Sequence, residues 1–286
     1  MAGPDTPKKP APMLGKENEG VPTDTASGTS ADPATEPGSA KLPVNPLSRP
    51  MGRVRAWLDM VFVDHGFLRL GYRHWKQVAP GVFRSNQPAP FQVRRAARFG
   101  IRTIVNLRGA NDSGHYHLEV EACRAAGIDL VDYPIKSRRV PSRQMALDAA
   151  ALFERVQYPI LMHCKSGIDR SGLMGAVYLL SHGASNNGGS NNGGSNNGGS
   201  NNGGSNIKAA DVGTALKQFS ARYGYLGAGP TGIGKAFIQA YAKAQMETGV
   251  AFLDWVKDGY DPDALSHSFK PSPLLAALVN ALLRRE

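Results

Sequence analysis

The sequence predicts an α/β fold: a central sheet of four to five strands flanked by helices, with a helical C-terminal half. Three observations carry that expectation. Short runs rich in Val, Ile, Leu and aromatic residues recur at 81–84, 103–107, 129–134 and 160–163, with the length and composition of strands. Helical segments that close on glycine or proline separate them. After His163 the pattern is helical throughout, so strands alternate with helices first and give way to helices later.

Taken in order, residues 1–50 are Pro, Ala, Thr, Gly and Ser with scattered charge, a composition that cannot offset its own ordering entropy and predicts a disordered tail. Residues 51–77 form an amphipathic extension, mixing Val54, Trp57, Leu58, Val61, Phe62, Phe67 and Leu68 with Arg53, Arg55, Arg69 and Arg73. Such a segment either packs on the domain or lies on acidic lipid. The main domain is expected over 78–248. Within it, helices are predicted at 90–99, ending at Gly100, at 118–126, ending at Gly127, and at 142–157, where Ser142 serves as N-cap and Pro159 forbids continuation. Further helices are expected at 170–181, 209–223 and 231–245.

Inside that domain, residues 185–206 carry Asn-Asn-Gly-Gly-Ser four times without error. Nothing in the repeat can be buried, and a coil of this length spans about 25 Å, so it reads as a surface loop of engineered or recently duplicated origin. Residues 249–286 form a C-terminal helical extension whose last part, 273–285, is amphipathic and allows the same two readings as the N-terminal extension.

The chain has 286 residues, 41% of them apolar, enough for a real core. Its net charge is +10, and the first 50 residues net −1, which leaves +11 on the part that can fold. That excess implies an anionic partner. Two cysteines, Cys123 and Cys164, cannot build a disulfide scaffold or a four-ligand zinc site. No secretory h-region and no run of eighteen apolar residues occurs, so a cytoplasmic location is expected. No zinc module or RNA-recognition signature accompanies the charge, which ranks nucleic acid low among partners.

One stretch concentrates the chemistry. An apolar strand ends in His163-Cys164, five residues follow, and Arg170 then opens a helix. A thiol at that position meets unpaired backbone N–H groups and the helix dipole, which stabilise negative charge on sulfur. Lys165, Ser166, Gly167, Ile168 and Asp169 are enough to curl the backbone into a nest around a tetrahedral oxyanion, with Gly167 allowing the turn. Arg170 adds a planar fork for two phosphoryl oxygens. The set describes in-line attack by Cys164 on a phosphate monoester with no metal and no cofactor, and Ser171 is placed to help sulfur leave when water attacks the phosphocysteine. His163 is expected to orient the strand end. Cys123 either protects an oxidised Cys164 through a disulfide or is a small core residue.

The run from His163 to Gly172 resembles the signature loop of the cysteine-dependent protein tyrosine and dual-specificity phosphatases, His-Cys-x5-Arg-Ser/Thr. Val82-Phe83-Arg84-Ser85-Asn86-Gln87-Pro88, the run from Gly100 to Gly109, and Arg222-Tyr223-Gly224-Tyr225-Leu226 resemble the compact bacterial and plant/fungal dual-specificity branch. The likeness spans about residues 78–241 and implies a dual-specificity-phosphatase-like sheet and a two-step mechanism through phosphocysteine.

The general acid departs from that pattern. The family's usual Asp follows a strand a few tens of residues before the Cys, yet the segment from Tyr133 to Pro141 holds no Asp or Glu. Ser137 takes that place, 27 residues before Cys164; Asp132, at 32, sits in the predicted strand. Asp169, inside the loop, and Asp112 complete the candidates. Lys136, Arg138, Arg139 and Arg143 replace the missing acid with positive charge, a rim suited to a substrate with several anionic groups. His115 and His117 lack a third metal ligand. The expected substrate is a phosphorylated protein; the alternative is an anionic lipid or phosphosugar, with peripheral contact at the inner face of an acidic membrane. The non-enzymatic alternative is a silent phosphate-binding module.

Overall fold

The computed structural model describes residues 46–67, 75–182, 209–225 and 229–271. The N-terminal tail through residue 45, the Asn/Gly/Ser repeat, Leu68, Arg69, Arg73, Leu226 and the helix expected at 273–285 lie outside the described residues. The described residues gather into one compact unit.

Among the described residues, five strands form one sheet: β1 (Lys76–Ala79), β2 (Val82–Asn86), β3 (Thr103–Asn106), β4 (Asp129–Asp132) and β5 (Ile160–Cys164). Their order is β1-β2-β5-β3-β4; β1 runs antiparallel to β2 and every other pairing is parallel. The last strand thus fills the centre, between β2 and β3. There it is buried along its whole length, as a strand covered on both faces requires. β1 adds an edge that sequence reasoning passed over: Val78 and Ala79 are its apolar residues, and its burial is partial.

Helices cover both faces. α1 (Pro50–Leu58) continues through a wider turn to Val63. α2 (Pro90–Arg98) and α3 (Gly114–Ala126) follow β2 and β3. α4 (Arg143–Arg155), α5 (Asp169–His182), α6 (Ala209–Lys217) and α7 (Ile233–Thr248) supply the other layer, followed by a short helical piece, α8 (Phe252–Asp254), and α9 (Pro262–Ser268). α3 starts four residues earlier than expected, and the helix expected through Tyr223 stops at Lys217, with a separate turn at Ala221–Tyr223. The caps read from sequence hold: Ser142 Oγ accepts from Met145 N at 3.1 Å, and Gly127 ends α3 with φ +66°.

Alternation along β5 divides the core. Ile160, Met162 and Cys164 join α4 to α7, with Phe252, Trp255, Val256 and Tyr260 from the C-terminal segment in the same cluster. Leu161 faces the opposite way, with Phe83, Ile104, Val93 and Cys123 beneath α2 and α3. A third small cluster, Leu47, Ala56, Met60, Ala89 and Leu118, seats α1 on α3. No helix among the described residues is long and apolar enough to cross a membrane.

Candidate active site

Parallel strands end together, and their C-terminal edge is where a nucleotide or phosphate group can meet the loops and helix N-termini that follow. Cys164 lies on that edge, level with Asn86 on β2, while His163 is level with Asn106 on β3. The chain then turns through residues 165–168 and enters α5 at Asp169, which brings a helix N-terminus to the thiol.

The turn depends on Gly167. Its φ is +76°, and a Cβ there would come within 2.5 Å of Asn86 N and 2.6 Å of Ser85 C, so the loop is pressed against the end of β2 where no side chain fits. From this position Gly167 N donates to Cys164 Sγ at 3.2 Å, and Ser171 Oγ lies 3.8 Å from the same sulfur. The thiol is 1% exposed, with polar groups arranged around it. Lys165, Ser166, Ile168, Asp169 and Arg170 are all half-buried, and Gly167 between them is buried.

Arg84 holds this loop from behind, and its role was not read from the sequence. Its side chain is fully buried. Nη2 donates to the carbonyls of Gly167 at 3.0 Å and Ile168 at 2.7 Å; Nη1 donates to Gln218 O at 2.9 Å and Gln218 Oε1 at 3.1 Å. Tyr223 covers its guanidinium at 4.5 Å. These bonds turn the carbonyls of Gly167 and Ile168 toward Arg84 and fix the path of the loop. Burial pulls the Arg84 guanidinium down to about 10, with Cys164, Tyr223 and Asp169 acting in the other direction. A charged residue within an apolar strand, Val82-Phe83-Arg84, is the signal that could have marked it.

A second unforeseen group stands behind His163. Its Nε2 is 2.8 Å from Glu119 Oε1, both side chains being fully buried; the contact is close in distance but lacks hydrogen-bond alignment. Glu119 Oε2 accepts from Gln87 Nε2 at 2.6 Å, and Gln87 N donates to Lys165 O at 3.2 Å.

The acid candidates are dispersed. Asp132 ends β4 with both carboxylate oxygens engaged, one by Asn106 Nδ2 at 2.8 Å and the other by Tyr116 OH at 2.6 Å. Asp112 is on the surface, paired with His117 at 2.8 Å. Asp169 is the first residue of α5, and its charge acts on Arg84 and on Tyr225, which burial and that charge together push up to about 12. Ser137 lies in the turn after β4, beside the exposed Lys136, Arg138 and Arg139. Arg143 is the first residue of α4. Its Nε donates to Tyr260 O at 2.6 Å while Tyr260 OH donates to Pro141 O at 2.7 Å, which ties the end of the basic loop to the C-terminal segment.

Cys123 is 1% exposed and sits on the sheet face opposite Cys164, so the disulfide alternative gives way to the core reading. Burial raises its thiol pKa well above the ordinary cysteine range. His115 approaches Asp64 and Ser113, and no metal-ligand cluster occurs among the described residues.

Comparison with known proteins bears on this geometry. Residues 79–184 match the family model described as polymorphic toxin system, DSP-PTPase phosphatase. No curated protein matches the chain. Among solved structures, a putative DUF442 phosphatase from Shewanella putrefaciens CN-32 is 24% identical, covering 41% of this chain and 78% of its own, with TM-score 0.35. TpbA of P. aeruginosa, in a variant complexed with pTyr, is 18% identical over 71% of this chain and 90% of its own, with TM-score 0.42. The core catalytic domain of the PP-IP phosphatase SIW14 from S. cerevisiae, in complex with citrate, is 14% identical over 64% and 93%, with TM-score 0.41. Strand β5, the loop from Cys164 to Arg170 and helix α5 all fall inside the segment that matches this phosphatase model.

Proposed function

We propose that Cys164 is the nucleophile of a metal-independent phosphomonoester hydrolase that works through phosphocysteine. The observation that carries this is the convergence on one sulfur of Gly167 N at 3.2 Å and Ser171 Oγ at 3.8 Å, at the start of α5. In this reading the N–H groups of residues 165–170 and the Arg170 guanidinium hold the three non-bridging oxygens, and sulfur attacks phosphorus opposite the ester oxygen. The ester oxygen takes a proton and leaves. Water then attacks the phosphocysteine, and Ser171 stabilises the departing thiolate.

For the proton we propose Asp169, because Asp132 has both oxygens committed and Asp112 pairs with His117 at the surface. Lys136, Arg138 and Arg139 form a cationic rim that supports a substrate carrying more than one anionic group, a phosphorylated protein or an anionic lipid or phosphosugar. The matched family's description supports a polymorphic toxin system as the setting. We keep 1–50, 51–77, 78–248 and 249–286 as the working division into tail, extension, phosphatase domain and C-terminal extension.

A specific observation supports peripheral contact with an acidic membrane. α1 and the turn after it bury Ala56 and Met60 yet expose Met51, Val54, Leu58, Phe62, Val63 and Phe67, beside the exposed Arg49 and Arg55. The buried side supports the packing reading, and the exposed side supports the lipid reading. An apolar face bordered by arginines suits an interfacial helix on anionic lipid. In a cytoplasmic protein that surface is the inner face of the membrane.

The test is metal-free hydrolysis of p-nitrophenyl phosphate under EDTA by the wild type and Cys164→Ser, with phosphopeptides and phospholipid vesicles run beside it. Activity lost in the variant supports the phosphocysteine route, and the ranking of substrates selects protein or lipid. A wild type that binds vanadate without turnover makes the domain a silent phosphate reader. An Asp169→Asn variant with full activity on an alkyl phosphate from pH 5 to 8 removes that acid. No sedimentation with anionic vesicles at low salt removes the membrane.

A further inference from the structure

Residues 46–67 precede the matched segment 79–184, yet they are fastened to the helix behind the phosphate loop. Asp59 Oδ2 accepts from Gly114 N at 2.7 Å, capping α3, and a Cβ on Gly114 would run into the backbone of Ala56. Arg53 pairs with Glu121 on the outer side of α3 at 2.6 Å. Between these surface attachments lies a buried one. Asp64 takes both ends of the Arg108 fork, Nη2 to Oδ1 at 2.8 Å and Nη1 to Oδ2 at 2.9 Å. Arg108 Nη1 also donates to Gln87 Oε1 at 3.0 Å, and Gln87 continues through Glu119 to His163.

We infer that Asp64 is a positioning residue for the Cys164 loop, acting through Arg108, Gln87, Glu119 and His163. This rests on the phosphatase reading for its consequence in turnover and on the geometry alone for its effect on Cys164. Asp64 is 7% exposed, Gln87 3%, Glu119 1% and His163 0%, so each charge must be met by a fixed partner. Asp64 occupies the outer side of the guanidinium, leaving Arg108 to present an N–H to the Gln87 carbonyl. That donor fixes which way the Gln87 amide points, and hence that its NH2 reaches Glu119. Without the Asp64 charge, Arg108 is drawn toward the remaining buried carboxylate, Glu119. The disturbance reaches the loop by two routes, through His163 into the Cys164 backbone and through Gln87 N into Lys165 O.

The experiment uses the full chain carrying Asp64→Asn. It reads kcat and KM on p-nitrophenyl phosphate, the pH profile of Cys164 alkylation by iodoacetate, and near-UV circular dichroism. A folded variant whose kcat falls roughly 10- to 100-fold while KM moves less than about threefold, with a displaced alkylation profile, is the expected result. Asp64→Glu should recover part of kcat. Arg53→Ala, which loosens the extension without touching the buried chain, should leave both readouts at the wild-type level.

Should Asp64→Asn fail to fold, the double variant Asp64→Asn/Arg108→Gln removes both charges and leaves neither buried alone; the same loss of kcat and displaced profile are expected. Wild-type kcat and alkylation profile in either folded variant overturn the inference. If the wild type proves to have no turnover, the alkylation profile decides by itself: displaced in Asp64→Asn, the positioning role stands; unchanged, it falls.

Discussion

The two cysteines are both 1% exposed and both flank the same sheet, but their surroundings differ in kind. Cys123 packs with Phe83, Val93, Ile104 and Leu161, an apolar setting that holds its proton. Cys164 sits where a backbone N–H points at sulfur, a hydroxyl waits on the same atom, and a helix begins. Equal burial therefore gives an inert thiol in one place and a nucleophile candidate in the other. What separates them is the set of donors, and those donors exist because the loop after β5 is forced into a particular turn.

The most severe way to erase the difference is Gly167→Ala. A methyl group within 2.5 Å of Asn86 N, at φ +76°, must push the loop off β2, and kcat/KM on an aryl phosphate should fall on the order of 100-fold or more. Wild-type turnover would show that the turn is dispensable. Next in size is Arg84→Met, which strands the carbonyls of Gly167, Ile168 and Gln218. It should destabilise by about 3 kcal/mol in denaturant titration, and reduce kcat by roughly tenfold in whatever remains folded.

Smaller again is Cys123→Ser. A hydroxyl placed in that apolar cluster should cost about 1–2 kcal/mol of stability while leaving kcat at 25 °C within about twofold of the wild type; a large fall in kcat would give Cys123 a share in the chemistry. The smallest effect belongs to His182, at the far end of α5, stacked on Tyr178 at 5.2 Å and edge-on to Phe153 at 5.7 Å. Burial lowers its pKa below the ordinary 6.5, so the unfolded chain takes up the proton first. The histidine thus leaves stability intact above pH 6.5 and erodes it as pH falls through that value. Thermal unfolding at pH 5.5 and 7.5 should show a smaller acid penalty in His182→Phe than in the wild type.

The sequence made the Cys164 loop legible because everything in it is local: strand, thiol, glycine, arginine and helix follow within ten residues. The helix caps at Ser142 and Gly127 were legible for the same reason. Arg84 was not, since its partner Gln218 lies 134 residues away and only the fold brings them together. Glu119 and Asp64 carry no local signal either, since their partners Gln87 and Arg108 lie 32 and 44 residues away. β1 escaped because an edge strand with few apolar residues has no clear period. The segment after Thr248 looked like an appendage, yet Phe252, Trp255 and Tyr260 share the core of α5 and α7, a contact no local pattern records.

The sheet order has a consequence for how the chain is made. β2 and β3 are separated by a single helix in the chain, but in the sheet they never touch; the strand between them arrives only at residues 160–164. A nascent chain that has not yet reached that point carries two open strand edges facing a slot it cannot fill, and such edges invite pairing with other chains. The strand that closes the slot is the one that ends in Cys164. A polypeptide released early therefore has neither a sealed sheet nor a thiol loop, and fragments ending before Ile160 should be found in the insoluble fraction rather than as partly active enzyme.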